Sequence, residues 1–591
     1  MASYVAGFEQ HYGVPIYALS LQNEASFENP FDSMTLCVGS SAGNTDYSQY
    51  AMALNSVRSA WQQFGLTTLI AGPHVAEVGP TPDNPWALLS QMKMIQAVKN
   101  YSDPTLINFL SIYCSNGYMD TSQAAVQAIA GYYRGSANVP ANWASWTYAP
   151  GVAQDKKPIW FVETGDGNGQ WLNGANGTPG TGAITVAQKI DDALVEGNVS
   201  AYFYYEFLDT SSDPTEYTLI GTNQLSNPLL SKKYCAFKQF SGFVLPGAQR
   251  IDAHFVDTGT PATGGASEYD TGNSVDVSAY LDRQDHTFTT VLLNMRATAE
   301  PVTVDIPASL GITSLSAFRT SNTENFAQLA TMGVSGGQVS FTLPAYSVET
   351  LTTALPGAVL TWSAGSGSWS AGSNWTAGFA PSGQDVTAVL GTSTTAAATV
   401  TLDEAVTLGT LQLGNTAQGA GAGYVISGSG TNSLRFQNAG GAQINVTQGT
   451  HVISAPVVLE SSLTVIPVAG SKLTISGNIS ESPVGQALVL DGPGELVFSG
   501  TNSFTGGTLV EEGTLYVSAA SALPTGQRLT IGCGGTLIFN PGGSGSPFVP
   551  ESSPAAAHVG AVAAVPEPGT LALLLALWSA VACYRFSRRR R

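Results

Sequence analysis

The sequence predicts a parallel α/β region at the amino terminus, followed by antiparallel and then repetitive β structure. Residues 1–245 alternate helical stripes of apolar residues with short apolar runs. Residues 246–355 place apolar residues at every second position, and residues 357–550 repeat short strand-like runs between glycines. Because 591 residues are too many for one hydrophobic core, a division into several domains is expected.

The first 245 residues contain five helix–strand units. A helix is predicted over about 2–12, where Tyr4, Phe8 and Tyr12 share a face and Gly13 can end it. The next run, PIYALS at 15–20, lacks period-two alternation, as a strand buried on both faces does. The same patterns predict helices at about 47–64, 86–99, 122–134 and 184–196, and strands at 67–71, 106–112, 159–162 and 201–207. Such a series implies a parallel sheet, either doubly wound or part of an eight-stranded barrel.

The later regions are predicted to be β structure of two kinds. Residues 246–355 read as a small antiparallel β-sandwich. Residues 357–550 repeat runs such as GTLQLGN, KLTISGN and GELVFSG, which indicates a β-solenoid of the β-helix type. A disordered linker is the alternative, but it would lack the regular apolar alternation. Residues 551–565 read as a flexible linker.

Composition excludes several classes of function. Lys and Arg number 22 against 41 Asp and Glu, a net charge of −19, so a nucleic-acid partner is not expected. No glycine-rich phosphate loop follows the first strand, and no cofactor is predicted. The five cysteines form no CxxC pair or Cys/His cluster, so no metal site is predicted. Cys37 and Cys114 could pair as a disulfide, although free buried thiols are the simpler interpretation.

Two carboxylates follow predicted strands. Asn23-Glu24 comes directly after the first strand, and Glu163 ends the fourth. Because active sites of parallel barrels lie at the carboxyl ends of the strands, these two can converge on one pocket. Glycosidic hydrolysis needs such a pair, one protonated and one ionised. A single strand-end glutamate is more commonly a salt-bridge partner, and four other acidic residues compete for the role, namely Glu77, Asp166, Glu206 and Asp209.

Three segments resemble glycoside hydrolase family 30, a retaining family of clan A with a (β/α)₈ TIM barrel. They are YVAGFEQHYGVPIYALSLQNE, PIWFVETG and KKYCAFKQFSGFVLPGAQRI, and the resemblance covers roughly residues 1–350. It implies that 1–245 is a partial barrel, strands four to eight, with 246–355 as its side sandwich. Glu24 would be the acid/base, Glu163 the nucleophile, and Asn23 a donor to the substrate 2-hydroxyl. With strands one to three missing, we expect a truncated barrel of weak activity.

Aromatic residues near the strand ends are predicted to contact substrate: Tyr113, Trp160, Trp171, Tyr204 and Tyr205. Tyr204 and Tyr205 are alternatives for the aromatic floor where members of the family often carry Trp. Tyr113 and Tyr118 are alternatives at the strand where the family tends to show His followed by Tyr. Trp160 and Trp171 flank Glu163 and could stack on sugar rings, although core packing is the commoner role of a tryptophan.

The C-terminal half carries two further resemblances. LTWSAGSGSWSAGSNW and GELVFSGTNSFTGGTLVEEGTLYV are similar to the autotransporter-associated β-strand repeat. The VPEPG sequence at 565–569, the apolar run 570–584 and the terminal arginines resemble a PEP-CTERM sorting signal within 566–591. This implies a single transmembrane helix, an exosortase-type processing machinery as partner, and an exported protein at the cell envelope, the cell surface or outside the cell. Met1–Val5 do not begin a signal peptide, which matches the expected truncation.

The predicted function is therefore that of a retaining glycoside hydrolase acting on a β-linked polysaccharide at the bacterial surface. The rival hypothesis is a non-catalytic surface protein, an adhesin or sugar-binding protein whose barrel is degenerate and whose solenoid carries the function.

Overall fold

The computed structural model describes residues 1–23, 47–74, 94–116, 157–165, 170–172, 182–195, 199–209, 218–221, 228–253, 255, 275–391, 394–415 and 422–540. Glu24, the helix predicted over about 122–134 and the sorting signal predicted at 566–591 lie outside these residues. The described residues fall in three regions of one compact unit, Met1–Gly542: a parallel sheet with helices, a β-sandwich and a β-solenoid.

The N-terminal region is a five-stranded parallel sheet whose strands follow chain order, β1-β2-β3-β4-β5. Its elements are α1 (Ala2–Tyr12), β1 (Ala18–Ser20), α2 (Ser48–Phe64), β2 (Leu69–Ala71), α3 (Leu106–Phe109), β3 (Leu110–Asn116), β4 (Ile159–Thr164), α4 (Ala183–Val195) and β5 (Ala201–Tyr204), with residues 94–99 also helical. A doubly wound sheet reverses its order at a switch point, whereas neighbouring strands of a barrel are consecutive. The order therefore favours a half-barrel over the doubly wound alternative.

The two faces of this sheet bury different residues. Ile70, Leu110 and Phe161 belong to the cluster that packs against α1 and α2. The opposite face, which would line the barrel interior, carries a smaller cluster of Ala71, Ile112 and Cys114, with Ala18, Leu69, Trp160 and Val162 partly buried against it. Side chains on the second face are therefore the ones that can reach an active site inside the barrel.

The ends of α1 and α2 agree with the ends predicted from the sequence. Gly13 and Gly65 end α1 and α2 in the left-handed conformation, with φ of 66° and 64°, which favours glycine because it has no Cβ. The strand predicted at 106–112 is wrong in its first half, because α3 occupies Leu106–Phe109 and β3 starts at Leu110. The Asp103 carboxylate accepts a hydrogen bond from the Thr105 backbone at 2.9 Å, which starts a helical turn at the Asp-Pro sequence.

The last predicted barrel strand, 201–207, is also shorter than expected. β5 ends at Tyr204, and β6 (Leu208–Asp209) joins a separate small sheet with β7 (Ile220–Gly221) and β8 (Leu229–Leu230). Helix α5 (Lys232–Ser241) then leads into the next region.

The middle region is an antiparallel β-sandwich, as predicted. Its strands are β9 (Gln249–Ile251), β10 (Val275–Asp282), β11 (Thr287–Asn294), β12 (Glu300–Asp305), β13 (Ser314–Ser321), β14 (Ala327–Gln328), β15 (Met332–Gly333), β16 (Gln338–Leu343) and β17 (Ser347–Ala354). One sheet has the order β14-β13-β17-β11-β10-β9, β15 pairs with β13, and β12 pairs with β16. A core including Leu292, Leu315 and Leu351 lies between the sheets.

The sandwich packs directly against the half-barrel helices. Ile190 of α4 and Phe240 of α5 share one buried cluster with Tyr280, Leu293 and Val348 of the sandwich. Polar contacts lie in the same interface, where the Ser278 hydroxyl donates to the Asp191 carboxylate at 2.6 Å. These two regions therefore pack together without a flexible spacer.

The third region is a solenoid of short strands with parallel pairing throughout its sheets. They are β18 (Val359–Thr361), β19 (Gly367–Ser368), β20 (Thr387–Leu390), β21 (Ala397–Thr401), β22 (Val406–Leu408), β23 (Thr410–Gly414), β24 (Gly423–Ser427), β25 (Leu434–Phe436), β26 (Ala442–Gln448), β27 (Thr450–Ile453), β28 (Val457–Leu459), β29 (Leu463–Pro467), β30 (Lys472–Ile475), β31 (Ile479–Glu481), β32 (Leu488–Phe498), β33 (Thr508–Val517) and β34 (Leu529–Phe539). They stack as three ladders around one apolar core. Stacking buries the alternate apolar residues that identified the repeat.

Glycine permits the sharp corners of this solenoid. Gly513 has a φ of 90°, and a Cβ on it would lie 2.0 Å from the carbonyl oxygen of Gly492 in the preceding rung. Only glycine allows the two backbones to approach so closely at the corner where β32 and β33 bend. The glycine content of this region is thus a requirement of the stacking.

Two further predictions concern the transmembrane helix and the cysteines. In the described ranges, no helix combines the length and apolar character needed to cross a bilayer, and the apolar run 570–584 lies outside those ranges. Cys114 and Cys235 are buried, and the pairing of Cys37 with Cys114 stays a prediction. Cys37 lies outside the described residues.

Candidate active site

Polar side chains follow each of the first four strands of the half-barrel at their carboxyl ends. Gln22 and Asn23 come after β1, His74 after β2, Asn116 ends β3, and Glu163 is the penultimate residue of β4. Because the strands are parallel and adjacent, these positions lie along one edge of the sheet. The edge is where a barrel enzyme of this topology would bind its substrate.

A bulge aligns Glu163 with its neighbour on β3. The β3–β4 ladder pairs Ser115 with Phe161 and then shifts by one residue, so that Asn116 lies opposite Glu163 instead of Val162. Bulges of this kind re-aim a side chain next to a site. As a result, Val162 packs in the interior cluster, and Glu163 is the residue that lies opposite Asn116 at the strand end.

His74 connects three of these strand ends. It is 8% exposed, and its Nε2 lies within hydrogen-bond distance of Asn116 Oδ1. Burial lowers the pKa of His74, while the Asn116 contact, the Glu163 charge and a hydrogen bond with the Gln22 backbone act in the opposite direction. The imidazole is therefore held neutral near pH 7 inside a polar network that reaches the predicted nucleophile.

An aromatic surface lies deeper on the interior face. The ring of Trp160 stacks on that of Tyr17, with 5.9 Å between centroids and 15° between planes, and contacts Phe203 at 5.6 Å. Tyr17 and Phe203 are exposed. Flat, exposed rings of this kind bind the apolar faces of sugars. Trp160 thus lies on the interior face, near the amino end of β4, and its contact with substrate stays a prediction.

Three of the predicted substrate contacts are wrong. Tyr113 is buried among the residues that pack against the helices, on the opposite face from Ile112 and Cys114. Trp171 is 2% exposed and donates its indole N–H to the backbone oxygen of Tyr346 at 2.8 Å, so it belongs to the interface with the sandwich. Tyr204 faces α5, where its ring contacts Phe237 at 5.9 Å.

The alternative left open at β5 concerns Tyr204 and Tyr205. Tyr204 lies on the helix side, whereas Tyr205, which follows the end of β5, is 48% exposed. Tyr205 therefore stays the prediction for the aromatic floor.

Several candidates cannot be placed. Glu24 is adjacent to the half-buried Asn23, but it lies outside the described residues, as do Glu77, Asp166 and Tyr118. Glu206 follows the end of β5 by two residues and so remains a competing strand-end carboxylate, whereas Asp209 lies in the small β6 sheet. His74 and Asn116 were not predicted from the sequence, although both fit the rule that selected Glu163, a polar residue at a strand end.

A cavity of about 800 Å³ lies elsewhere, at the amino ends of β4 and β5. Lys157, Ser200 and Arg250 contribute to its lining, together with Phe237 of α5 and Tyr280 of the sandwich. No strand-end polar residue of the network lines it, but Trp160, the second residue of β4, does. The cavity therefore lies at the opposite end of the strands from Glu163, next to the aromatic surface.

Comparison with known proteins gives matches to two parts of the chain. A profile of the passenger-associated-transport-repeat family matches residues 488–517, which are β32 and β33 with the turn between them. Solved structures similar to this chain include a GH30 endoxylanase from Clostridium papyrosolvens C71, with 20% identity, a TM-score of 0.40, and coverage of 60% of this chain and 70% of that one. A glycoside hydrolase family 30 subfamily 8 xylanase, Xyn30A, from Clostridium acetobutylicum has 22% identity, a TM-score of 0.39, and coverage of 59% and 70%. The catalytic domain of GH30 xylanase C from Talaromyces cellulolyticus has 20% identity, a TM-score of 0.40, and coverage of 59% and 66%.

Proposed function

We propose that this chain is a retaining glycoside hydrolase that acts on a β-linked polysaccharide outside the cell. The observation that carries the proposal is the placement of Glu163 at the carboxyl end of β4, opposite Asn116 and within the electrostatic reach of His74. Glycosidic hydrolysis requires a pair of carboxylates. Glu163, at a strand end with a polar network beside it and an aromatic surface below, supplies one, and we propose Glu24 as the other.

In this mechanism Glu163 attacks the anomeric carbon and forms a glycosyl-enzyme. Glu24 first protonates the leaving oxygen and then activates the water that releases the sugar. Asn23, next to Glu24, donates to the substrate 2-hydroxyl, a hydrogen bond that strengthens in the transition state. Trp160 and Tyr205 supply apolar surface to the sugar rings.

His74 has a supporting role in the same site. As a neutral imidazole it can donate one hydrogen bond and accept another, so it orients Asn116 without adding a permanent positive charge beside Glu163. A full cation there would stabilise the carboxylate and weaken it as a nucleophile.

We also place the protein at the cell envelope or cell surface. The transport-repeat match at 488–517 supports export. The PEP-CTERM-like segment 566–591 would hold the chain at the membrane through one transmembrane segment until an exosortase-type machinery processes it. The solenoid would then separate the catalytic region from the membrane.

A covalent trap tests the enzymatic proposal without depending on fast turnover. The chain is incubated with activated 2-deoxy-2-fluoro β-glycosides of xylose, glucose and galactose, and its peptides are analysed by mass spectrometry. One fluorosugar on the peptide containing Glu163, absent from Glu163→Gln, is the expected result. A label on another carboxylate would contradict the nucleophile assignment.

The same material tests the sugar-binding alternative, which the exposed rings of Tyr17 and Phe203 favour. Xylan, cellulose and β-1,3-glucan are presented in a pull-down with the unaltered chain and with Trp160→Ala. Retention that depends on Trp160, without any covalent label at Glu163, would support a binding protein with a degenerate barrel.

A further inference from the structure

The solenoid ends on an uncovered rung. Leu490, Val510 and Ile531 are paired one above the other in the successive strands β32, β33 and β34, and we call such a set a column. In this column Leu490 and Val510 are fully buried, while Ile531 is 40% exposed. In a second column, Phe498 and Val517 are fully buried and Phe539 is 54% exposed. These apolar side chains occupy core positions, but no following rung of the described chain covers them.

The backbone edge of this rung is open as well. In the part of the chain that the structure describes, β34 pairs with β33 alone. Its sequence, LTIGCGGTLIF, contains no charged residue and no proline. Charges and prolines are the usual devices that stop a free edge from pairing with another strand. An edge of 11 residues without them is a surface suited to strand addition.

The other end of the solenoid is covered. Phe243 and Phe318 belong to the same buried cluster as the solenoid core, and Phe243 contacts Phe379 with 6.5 Å between ring centroids. Gln328 of β14 also accepts a hydrogen bond from the Gly372 backbone at 2.9 Å. Two copies therefore cannot stack β34 onto the first rung of a neighbour, which excludes a head-to-tail filament.

The continuing chain has the wrong sequence for the next rung. In the last rungs of this ladder, from β26 to β34, the paired first residues of the strands recur after 20 to 25 residues, as in Leu463 to Leu488 and Leu488 to Thr508. An 11-residue strand starting at those spacings after Leu529 would contain Pro554. The stretch 550–560, PESSPAAAHVG, is rich in alanine, serine and proline, which disfavour strands.

We propose that β34 is a self-association surface through which two copies of the chain form a tail-to-tail dimer. Because both copies use the same edge, they are related by a two-fold axis and the two β34 strands pair antiparallel. Ile531 and Phe539 of each copy cover the open core of the other. The axis passes near the middle of the strand, so the two Cys533 residues, which are exposed, lie close to each other. This association is independent of the glycosidase proposal.

The mass of the full chain in solution tests the dimer. Light scattering after size-exclusion chromatography is done in mild detergent, which keeps the apolar run 570–584 from associating. The unaltered chain should have twice the monomer mass of 61.2 kDa. Ile531→Lys combined with Phe539→Lys should return it to the monomer mass. Val484→Lys, at an 81% exposed position of the same solenoid, is the matched control and should remain dimeric.

Cross-linking tests the register of the pairing. In a Cys37→Ser, Cys583→Ser background, mild oxidation should convert the chain to a covalent dimer, and Cys533→Ser should abolish that product. A monomer mass for the unaltered chain at tens of micromolar would overturn the proposal, and so would a dimer that survives the two lysines. A monomer whose β34 backbone amides are protected from hydrogen exchange would also overturn it. Such protection would mean that residues 541–591 of the same chain pair with the β34 edge.

Discussion

The imidazole of His74, after β2, contacts the side-chain oxygen of Asn116 at the end of β3, and Asn116 in turn lies opposite Glu163 in the β3–β4 ladder. Three consecutive strands thus contribute to one buried polar network at the edge where the catalytic carboxylate is proposed. Such a network is stable only when each member keeps its partner.

Asn116→Ala should destabilise the half-barrel, because it leaves a ring nitrogen of buried His74 without its partner. The expected loss is about 1–3 kcal/mol in the free energy of unfolding. Urea denaturation followed by tryptophan fluorescence measures it. Asn100→Ala, an exposed asparagine at a helix end, is the control and should change stability little. Equal stability of the Asn116 variant and the unaltered chain would contradict the network.

The two tryptophans that flank Glu163 should behave in opposite ways. Trp171→Ala removes a buried ring and its hydrogen bond to Tyr346 at the sandwich interface, so it should cost about 3–5 kcal/mol of stability. Trp160→Ala removes a half-buried ring from the interior face, so it should weaken binding of β-linked polysaccharide more than it lowers stability. Chemical denaturation and glycan binding, measured on both variants, separate the two roles. The reverse pattern would reject the assignment of faces.

The buried carboxyl of Asp191 should make stability depend on pH. Burial raises its pKa from 3.8 to about 6, although the Ser278 hydroxyl donates to it. Between these values the folded state holds more protons than the unfolded state, so stability falls as pH rises from about 4 to about 6 and then levels off. The contribution is on the order of 3 kcal/mol. Asp191→Asn should lack this slope, whereas Asp192→Asn on the same helix should keep it.

Variants of the two proposed catalytic carboxylates should respond differently to the leaving group of the substrate. Glu163→Gln should reduce turnover to background, because no other group forms the glycosyl-enzyme. Glu24→Gln should retain the first step on dinitrophenyl glycosides and lose it on poor leaving groups, with azide restoring the second step as a glycosyl azide of retained configuration. A product of inverted configuration would indicate a direct attack by water, with carboxyl groups roughly 6.5–9.5 Å apart instead of about 5–5.5 Å.

Removing residues 566–591 should change location without changing the fold. This segment carries the apolar run and the terminal arginines, whereas the buried residues of the described solenoid cluster lie between Phe243 and Ala522. Cell fractionation in a bacterial host that sorts such proteins should find the shortened form in the medium. Retention at the envelope would identify the solenoid or another region as the anchor.

Local patterns were enough to predict most elements of this protein. The ends of α1 and α2 depend on near neighbours in the chain, and the strands of the sandwich and the solenoid are marked by local alternation of apolar residues. Gly13 and Gly65 end helices through their own backbone conformation, and alternation along a strand decides which residues are buried. The strand-end position of Glu163 follows from the same local rules.

Only the tertiary structure decided which face each residue of a strand occupies. Tyr113 points toward helices because a bulge between β2 and β3 shifts the alternation before it. Tyr204 packs against α5, and the distant sandwich covers Trp171. The partnership of His74 with Asn116 joins residues 42 positions apart, which no local pattern reveals. Local sequence thus determined where strands and carboxylates occur, while long-range packing determined which side chains share the site.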